Sequence, residues 1–195
     1  MTARPEAASR RPPYSITTAR PGDVVHIPAI ELAAAQLLSG HAPESALNET
    51  TELDVLHEAQ RHGRLWVALA TDAPVGFAHA ELIEPATAHL EEVDVDPAHG
   101  RRGLGTRLVL TLCEWAMSHN YEAVTLTTFR DVPWNMPFYA RLGFEVVAGS
   151  ELTPALRAIV DNEARRGLDP ARRVVMRRPL QHAGHPAHFV SRGHL

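Results

Sequence analysis

The spacing of apolar and polar residues predicts that strands and helices follow one another along most of this chain. Runs rich in β-branched and aromatic residues predict strands at residues 14–21, 64–70, 75–84, 87–97, 121–129, 144–148 and 172–178. Apolar residues at helical spacing predict helices at residues 22–38, 52–63, 104–118, 134–143 and 154–167. A strand hairpin in the first half and a strand-helix-strand unit in the second are typical of a mixed α/β fold.

Local signals predict where several of these elements begin and end. Asp23 is expected to cap the first helix, and Pro28 to kink or restart it. Gly63 is expected to end the second helix. The sequence TDAP at residues 71–74 is the expected turn of the hairpin, and residues 39–50 have the composition of a mobile loop.

Length and composition predict one folded domain between two loose ends. The chain has 195 residues with 45% apolar content, enough for a single core. We expect residues 14–180 to form the domain and residues 1–13, rich in proline and charge, to be a disordered tail. Residues 181–195 are expected to be a flexible tail whose histidines match no defined zinc spacing, so no metal site is predicted.

Charge and cysteine content exclude several classes of function. A formal charge of −4 and a pI near 6.3 give no field that would hold a nucleic acid, so no such partner is expected. No apolar run approaches the roughly 18 residues of a membrane span. Cys113 is the only cysteine, which rules out an internal disulfide, and we expect it to be a packing residue. These features predict a soluble, cytoplasmic protein.

A turn rich in glycine and arginine precedes a leucine-rich helix in the stretch AHGRRGLGTRLVLTLCEW, residues 98–115. The first N–H groups of such a helix have no intrahelical acceptor and lie at the positive end of its dipole. The glycines let a diphosphate approach the backbone and the arginines can add ionic contacts; they are Gly100, Gly103, Gly105, Arg101, Arg102 and Arg107. The spacing G-x-x-G-x-G matches neither the dinucleotide fingerprint nor a P-loop. The turn predicts phosphate binding, with a purely structural helix entry as the alternative.

Two stretches carry a resemblance to a known family. The first, EEVDVDPAHGRRGLGTRLV, resembles the acyl-CoA-binding motif of the GNAT superfamily of N-acetyltransferases, Gln/Arg-x-x-Gly-x-Gly/Ala after the fourth strand. Gly100 stands where that family usually has Gln or Arg, and Arg101 or Arg102 is expected to substitute for it. The second, VPWNMPFYARLGF, resembles the family's N-x-x-[A/N]-x-x-x-Y-x-x-x-G-F segment, with Val132 in place of the first Asn. The resemblance covers roughly residues 14–178.

The resemblance implies a fold and a co-substrate. The fold would be a mixed, mostly antiparallel sheet splayed between its fourth and fifth strands, near Asp96 and Thr128, with helices on both faces. The co-substrate would be acetyl-CoA, held in the gap. The implied contacts to CoA come from Val93, Asp94, Val95, Gly100, Arg101, Arg102, Gly103, Leu104, Gly105 and Thr106, with Asn135 and Tyr139 near the sulfur.

The chemistry of acetyl transfer selects candidate catalytic residues. Tyr139 is the candidate acid for the departing thiolate, because a phenol can donate a proton to it. Glu92 is the favoured candidate base and Glu91 the second; strand alternation would point them to opposite faces, so that at most one faces the acceptor. Glu31 and Glu81 are further possibilities, and several carboxylates that converge would suit a cationic acceptor.

The sequence therefore predicts an N-acetyltransferase that works by direct attack of an amine on acetyl-CoA in a ternary complex. The acceptor, a small-molecule amine or an amine of a peptide or protein, stays open, as does a homodimer. Residues 39–50 and 149–168 are expected to select the acceptor, and the helix at residues 154–166 is a candidate lid. The alternative function is a non-catalytic CoA sensor or interaction module of the same fold.

Overall fold

The computed structural model of the protein describes residues 14–181. Its strands are β1 (Tyr14–Thr18), β2 (Leu65–Ala70), β3 (Ala73–Glu84), β4 (Thr87–Val95), β5 (Ala123–Phe129), β6 (Glu145–Val146) and β7 (Arg173–Pro179). Its helices are α1 (Ile27–Ala35), α2 (Glu44–Leu47), α3 (Leu53–Arg61), α4 (Leu104–Ser118), α5 (Asn135–Arg141) and α6 (Pro154–Arg165). The expectations for residues 1–13 and for the histidine-containing tail lie outside the described residues, apart from Gln181.

The strands form one sheet in the order β1-β2-β3-β4-β5-β7-β6. All neighbours are antiparallel except β4 and β5, which are parallel. Strands β2, β3 and β4 are joined by short turns, whereas β1 and β2 are joined through α1, α2 and α3. Helix α4 is the crossover that a parallel β4–β5 pair requires. The expected mixed, mostly antiparallel sheet is confirmed.

Helices cover both faces of the sheet. Helix α4 packs on one face, where alternate residues of the strands, such as Ala78, Leu90 and Leu126, join it in the larger apolar core. Helices α1 and α3 pack on the other face, where Val67 and Phe77 belong to a second apolar cluster. Since a strand exposes successive side chains to opposite faces, the strands in the middle of the sheet are buried on both sides.

The first helical segment corrects a prediction. Residues 21–26 form a 3-10 turn, and α1 begins only at Ile27, with Pro28 in its first turn, so Pro28 does restart the helix. Asp23 is not the N-cap of α1 but the third residue of this 3-10 turn: its buried carboxylate accepts hydrogen bonds from the Arg20 backbone N–H at 2.7 Å and from the Arg20 guanidinium at 3.0 Å. The carboxylate thus caps the turn from within it, as in a capping box, with a charged side chain as second partner.

Turns and loops also differ from the expected boundaries. Ala70 pairs directly with Ala73, so the hairpin turn is two residues long, with Thr71 at φ 60°, rather than the expected four. Residues 39–50, expected as a loop, contain α2. The expected stop at Gly63 is confirmed by its φ of 68°, a conformation that glycine adopts without strain.

No helix within residues 14–181 is long and apolar enough to cross a membrane.

Candidate active site

Strands β4 and β5 separate halfway along their length. Leu90 and Leu126 are the last residues paired between them, while β4 continues to Val95 and β5 to Phe129. Backbone groups of residues 91–95 that face β5 are therefore not bonded to that strand. The splay expected between the fourth and fifth strands is confirmed.

The turn before α4 presents a row of unpaired amide groups. After a short 3-10 turn at residues 97–99, Arg101 and Gly103 adopt left-handed conformations, with φ of 57° and 75°. The first hydrogen bond of α4 runs from the Arg107 N–H to the Gly103 carbonyl at 3.0 Å. Within residues 14–181, the N–H groups of residues 101–106 donate no hydrogen bond. Such N–H groups at a helix N-terminus attract an anion.

The glycines of this turn keep its surface open. A Cβ added at Gly103 would meet no atom within 4 Å, so a side chain there would stand in the space before the helix. A Cβ at Gly105 would lie 3.6 Å from the Phe138 Cζ atom of α5, so Gly105 lets α5 lie close to α4. Residues 101–106 thus present free N–H groups on an open turn.

The three arginines of the turn differ in their surroundings. Arg107 donates two long hydrogen bonds, of 3.3 and 3.4 Å, to the Tyr14 carbonyl. The Arg102 guanidinium lies over the Tyr14 ring, 5.6 Å from its centroid. Arg101 is exposed and has no such contact within residues 14–181. Of the three, Arg101 is the most available for an ionic contact to a phosphate.

A β-bulge overturns the prediction that Glu91 and Glu92 face opposite ways. His79 of β3 pairs with Glu92 and Ala80 pairs with Leu90, so Glu91 is an extra residue in β4. Such an insertion shifts the alternation by one residue. Glu92 and Asp94 consequently lie on the face opposite Leu90 rather than sharing it.

Glu91 points to the same face of the sheet as Glu92. Its carboxylate Oε2 lies 3.9 Å from Nε2 of the buried His89, which points away from the α4 side. Burial, the largest cause, raises the pKa of Glu91. The bulge therefore brings both candidate bases to one face.

The carboxyl groups of Glu92 and Asp94 on β4 have raised pKa values. The Glu92 side chain keeps contact with solvent, yet protein atoms crowd its carboxylate, and this loss of water raises its pKa to about 7. The negative charges of Glu31 and Glu91 add to the increase. Asp94 has a pKa raised well above its usual value, first by burial and then by the charges of Glu92 and Glu31. A carboxylate that titrates near neutral pH is suited to general base catalysis.

Tyr139 lies on α5 with its ring at the edge of the core. Its ring packs edge-on against Phe138 and Phe144, with centroids 4.9 and 6.0 Å apart. Burial raises the pKa of the Tyr139 hydroxyl, and the charges of Glu92 and Asp94 raise it further. The raised pKa keeps the phenol protonated at neutral pH. Asn135, one turn earlier on α5, is half-buried.

The two further carboxylates named from the sequence are both placed near β4. Glu31 of α1 is buried, and its Oε1 accepts a hydrogen bond of 2.6 Å from the Thr51 hydroxyl. Burial raises the pKa of Glu31. Glu81 of β3 lies against His79, and the approach of that ring is the largest cause lowering the pKa of Glu81. Both act electrostatically on β4 carboxylates: the charge of Glu31 adds to the raised pKa of Glu92 and Asp94, and that of Glu81 adds to the raised pKa of Glu91.

Three polar side chains on the face that carries Glu92 were not predicted from the sequence: His79, His89 and Thr125. His79 is 1% exposed, and both its ring nitrogens lack a hydrogen-bond partner within residues 14–181. His89 Nδ1 lies 2.9 Å from the Thr125 hydroxyl, and burial lowers the pKa of His89 to about 4, so this ring is neutral. Strand alternation from Phe77 onward could have placed His79 on this face.

Helix α6 is joined to the sheet by a buried ion pair. Arg173 of β7 donates two hydrogen bonds to Glu163 of α6, at 2.6 and 2.9 Å, and a third to the Thr127 hydroxyl of β5 at 2.9 Å. The Thr127 hydroxyl donates to Glu163 in turn. These contacts link residues far apart in sequence, so no local pattern could have predicted them.

The expected acceptor loop also contacts the end of α6. Arg166 forms an ion pair with Glu49 at 2.5 Å, and Arg172 donates to the His41 carbonyl at 2.7 Å. His41 packs edge-on against Trp134, with ring centroids 5.6 Å apart. Residues 41–49 therefore contact the segment at residues 166–172 that joins α6 to β7.

The described residues support neither a nucleophilic thiol nor a metal site. Cys113 is buried in α4, and burial raises the pKa of its thiol to about 11, so it is not a thiolate at neutral pH. Residues 14–181 contain no group of three or more His, Cys, Asp or Glu side chains placed to hold a metal ion.

A parallel strand pair that separates, followed by an anion-binding helix entry, defines the site of an acyl-CoA-dependent transferase. The model of the acetyltransferase (GNAT) family matches residues 33–144, more than half of the chain. The chain therefore belongs to the GNAT family of acetyltransferases. It is an acyltransferase of the EC 2.3.1 type, and acetyl-CoA is its co-substrate.

One relative in sequence and two solved structures illustrate what this chain is similar to, the structures in fold alone. The glucosamine 6-phosphate N-acetyltransferase of Trypanosoma brucei brucei is 29% identical over 117 residues, which cover 55% of this chain and 78% of that protein. The PaiA N-acetyltransferase of Thermoplasma acidophilum, in complex with coenzyme A, superposes with a TM-score of 0.67 at 14% identity over 86% of this chain and 99% of its own. The Salmonella typhimurium protein yncA, with acetyl-CoA, gives a TM-score of 0.63 at 18% identity over 90% and 99%.

Proposed function

We propose that this protein transfers the acetyl group of acetyl-CoA to a primary amine by direct attack within a ternary complex. The observation that carries the proposal is that three features follow one another from β4 into α4: the splay after Leu90, the carboxylate of Glu92 and the free amides of residues 101–106. The splay and the amides can hold a thioester, and the carboxylate can take a proton from the amine.

The backbone binds most of the acetyl-CoA. The N–H groups of residues 101–106 receive the diphosphate, with Arg101 free to add an ionic contact. The unpaired edge of Val93, Asp94 and Val95 receives the pantetheine arm and the thioester carbonyl by strand-like hydrogen bonds. A hydrogen bond from this edge to the carbonyl stabilises the oxyanion of the tetrahedral intermediate.

Glu92 acts as the general base. An acceptor amine with a pKa near 10 is charged at pH 7, and its deprotonation costs roughly 4 kcal/mol. A carboxylate whose pKa has been raised to about 7 is a stronger base than an ordinary glutamate and is still half ionised at neutral pH. Glu91, beside it on the same face, is the second candidate.

Tyr139 assists the departure of the thiolate. Its raised pKa keeps the hydroxyl protonated, so it can donate a hydrogen bond to the sulfur as negative charge develops there. Because this pKa lies above the value of about 8.5 for a thiol, the phenol shares its proton in the transition state rather than ionising beforehand. Asn135, one turn away on α5, lies on the same side.

We expect direct attack because the single cysteine is a poor nucleophile for an acyl-enzyme. Cys113 is the only cysteine, and it is buried in α4 with a raised pKa. A covalent intermediate would need an exposed thiolate or a comparably activated group. The amine and acetyl-CoA must then be bound together before reaction.

The proposal is tested by measuring CoA release and acetylated product with a panel of primary amines. We expect an amine-dependent rate that requires both substrates, with intersecting initial-rate lines and no acetylated protein by mass spectrometry. Cys113→Ala serves as the matched control and should retain the rate, since the thiol takes no part. Binding of CoA without turnover for any amine would instead favour the CoA-sensing alternative.

A further inference from the structure

One face of the sheet carries a concentration of carboxylates beside the splay. We define the acidic cleft as Glu31 of α1 with Glu91, Glu92 and Asp94 of β4. Glu92 and Asp94 make no hydrogen bond or ion pair within residues 14–181. Glu31 is held by an uncharged partner, the backbone and hydroxyl of Thr51. Negative charge is thus gathered here without compensation.

The cations that approach the cleft from other elements are already engaged. Their partners are Glu163 and Thr127 for Arg173, Glu49 for Arg166, and the Ala80 carbonyl and Glu81 for Arg64. His89 is neutral, since burial lowers its pKa to about 4. The acidic cleft therefore holds carboxyl groups that no cation within the described residues pairs with, and their repulsion is relieved either by protonation or by a bound cation.

His79 is an independent sign that the cleft accepts a polar ligand. Its ring is 1% exposed, and it is the cross-strand neighbour of Glu92 on the same face. Neither ring nitrogen has a hydrogen-bond partner within the described residues; Nε2 lies 3.3 Å from Glu81 Oε1 but without the alignment of a hydrogen bond. Buried polar groups are almost always satisfied, so an imidazole that makes no hydrogen bond beside Glu92 points to a partner supplied from outside.

The charge of the cleft selects among amine acceptors. The attacking nitrogen must be neutral, so it cannot itself balance the carboxylates during the reaction. A second ammonium group on the same molecule can do so, whereas a phosphate or carboxylate group would be repelled. We infer that the acceptor is a small diamine or related polycation, whose second ammonium is bound by Glu31 and Asp94 while its first is acetylated beside Glu92. This inference rests on the proposed function.

A diamine acceptor would distinguish this protein from the glucosamine 6-phosphate N-acetyltransferase to which it is similar. Glucosamine 6-phosphate carries a phosphate, and the acidic cleft has no free cation within residues 14–181 to receive it. The cleft also explains why the pKa values of Glu92 and Asp94 are raised, since mutual repulsion is among their causes. A bound ammonium would relieve this repulsion and lower both pKa values.

The test compares three acceptors of different charge in the full-length enzyme. We expect kcat/KM for 1,4-diaminobutane to exceed that for n-butylamine by at least about tenfold, with glucosamine 6-phosphate the poorest. The preference should decrease as salt is added, because exposed ionic contacts are screened. Equal or better use of n-butylamine or glucosamine 6-phosphate would overturn the inference while leaving the proposed acetyl transfer intact.

Charge-neutral variants locate the second ammonium. Asp94→Asn and Glu31→Gln should each reduce the diamine-to-monoamine ratio of kcat/KM about tenfold, mainly through KM for the diamine. Glu58→Gln, on the exposed side of α3, removes the same charge elsewhere and should leave the ratio unchanged. A ratio that the first two variants leave at the wild-type value would overturn the assignment of the subsite.

A binding measurement keeps the two proposals distinguishable. Calorimetry of 1,4-diaminobutane with the protein–CoA complex should detect binding that n-butylamine does not show and that Asp94→Asn abolishes. If the diamine binds in this way but no amine is acetylated, the proposed function fails and the cationic site stands. If amines are acetylated but the diamine binds no better than the monoamine, the cationic site fails.

Discussion

The β-bulge at Glu91 determines which side chains of β4 meet at the site. Without it, Glu92 would point into the core beside Leu90, where a charge is costly. With it, Glu91, Glu92 and Asp94 all lie on the polar face and Val93 packs with the core. One extra residue thus brings the candidate base, Glu92, to this face together with Glu91. The charge of Glu91 adds to the burial that raises the pKa of Glu92.

Replacing Glu92 with Gln removes the proposed base. Because the raised pKa of about 7 belongs to a group that must be ionised to act, wild-type kcat/KM should fall about tenfold per pH unit below 7. In Glu92→Gln we expect kcat/KM to be lower by about 100-fold or more at pH 7.5, and its pH profile to show no inflection near pH 7. The measurement is a pH profile of kcat/KM at saturating acetyl-CoA.

Glu91→Gln is the matched comparison for this profile. It removes a like charge on the same face, so the pKa of Glu92 should decrease and the inflection should move to lower pH. If instead Glu91→Gln abolishes the inflection and Glu92→Gln retains it, the base is Glu91.

Replacing Tyr139 with Phe tests the proposed proton donor. The ring that packs against Phe138 and Phe144 is kept and only the hydroxyl is lost, so kcat should fall about 100-fold while CoA affinity is unchanged. Tyr121→Phe is the control, because Tyr121 stacks on Trp115 away from the site, with ring centroids 5.5 Å apart. A wild-type kcat in Tyr139→Phe, measured by CoA release, would remove the hydroxyl from the mechanism.

At the scale of elements, the junction between β4 and α4 supplies the anion site. Its amides remain free because Arg101 and Gly103 turn the chain through left-handed conformations before the first helical hydrogen bond forms. The site therefore depends on backbone shape more than on any one side chain, which is consistent with Gly100 in place of the family's usual Gln or Arg.

Gly103→Val should weaken CoA binding at least tenfold, equivalent to about 1.4 kcal/mol. The valine would occupy the open space before α4 and would strain a backbone at φ 75°. Gly63→Val imposes similar strain, at φ 68° in equally open space after α3, and should lower stability without weakening CoA binding. Calorimetric titration with CoA makes the comparison, and equal affinities in the two variants would contradict the anion site.

At the scale of the whole molecule, α6 and the end of the sheet are held together by the Glu163–Arg173 ion pair. The side chains are 12% and 10% exposed, so each would be left as a buried charge if its partner were removed. We expect Glu163→Ala to lower the free energy of unfolding by about 3 kcal/mol, as measured by urea denaturation.

The exposed ion pair between Glu49 and Arg166 provides the matched control. Its side chains are 40% and 48% exposed, and Glu49→Gln should cost no more than about 1 kcal/mol. The double variant Glu163→Leu with Arg173→Met should regain part of the lost stability, because no unpaired charge remains. If Glu163→Ala costs no more than Glu49→Gln, this ion pair does not anchor α6.

The sequence by itself determined the order of strands and helices, the glycine-rich turn and the family. Hydrophobic periodicity and the residues 100–105 and 135–144 are local signals, and local conformation and motif spacing depend on neighbours in the chain. The prediction that β4 and β5 separate also came from the sequence, through the family resemblance that these motifs carry.

Only the tertiary structure decided which carboxylates meet. The bulge at Glu91 is set by pairing with β3, and the pKa of Glu92 is raised by burial and then by the charges of Glu31 and Glu91. The link from Glu163 to Arg173 and Thr127 joins three separate elements. Electrostatic interactions depend on distance in space rather than along the chain, so the charge of the site emerges only when the sheet has formed.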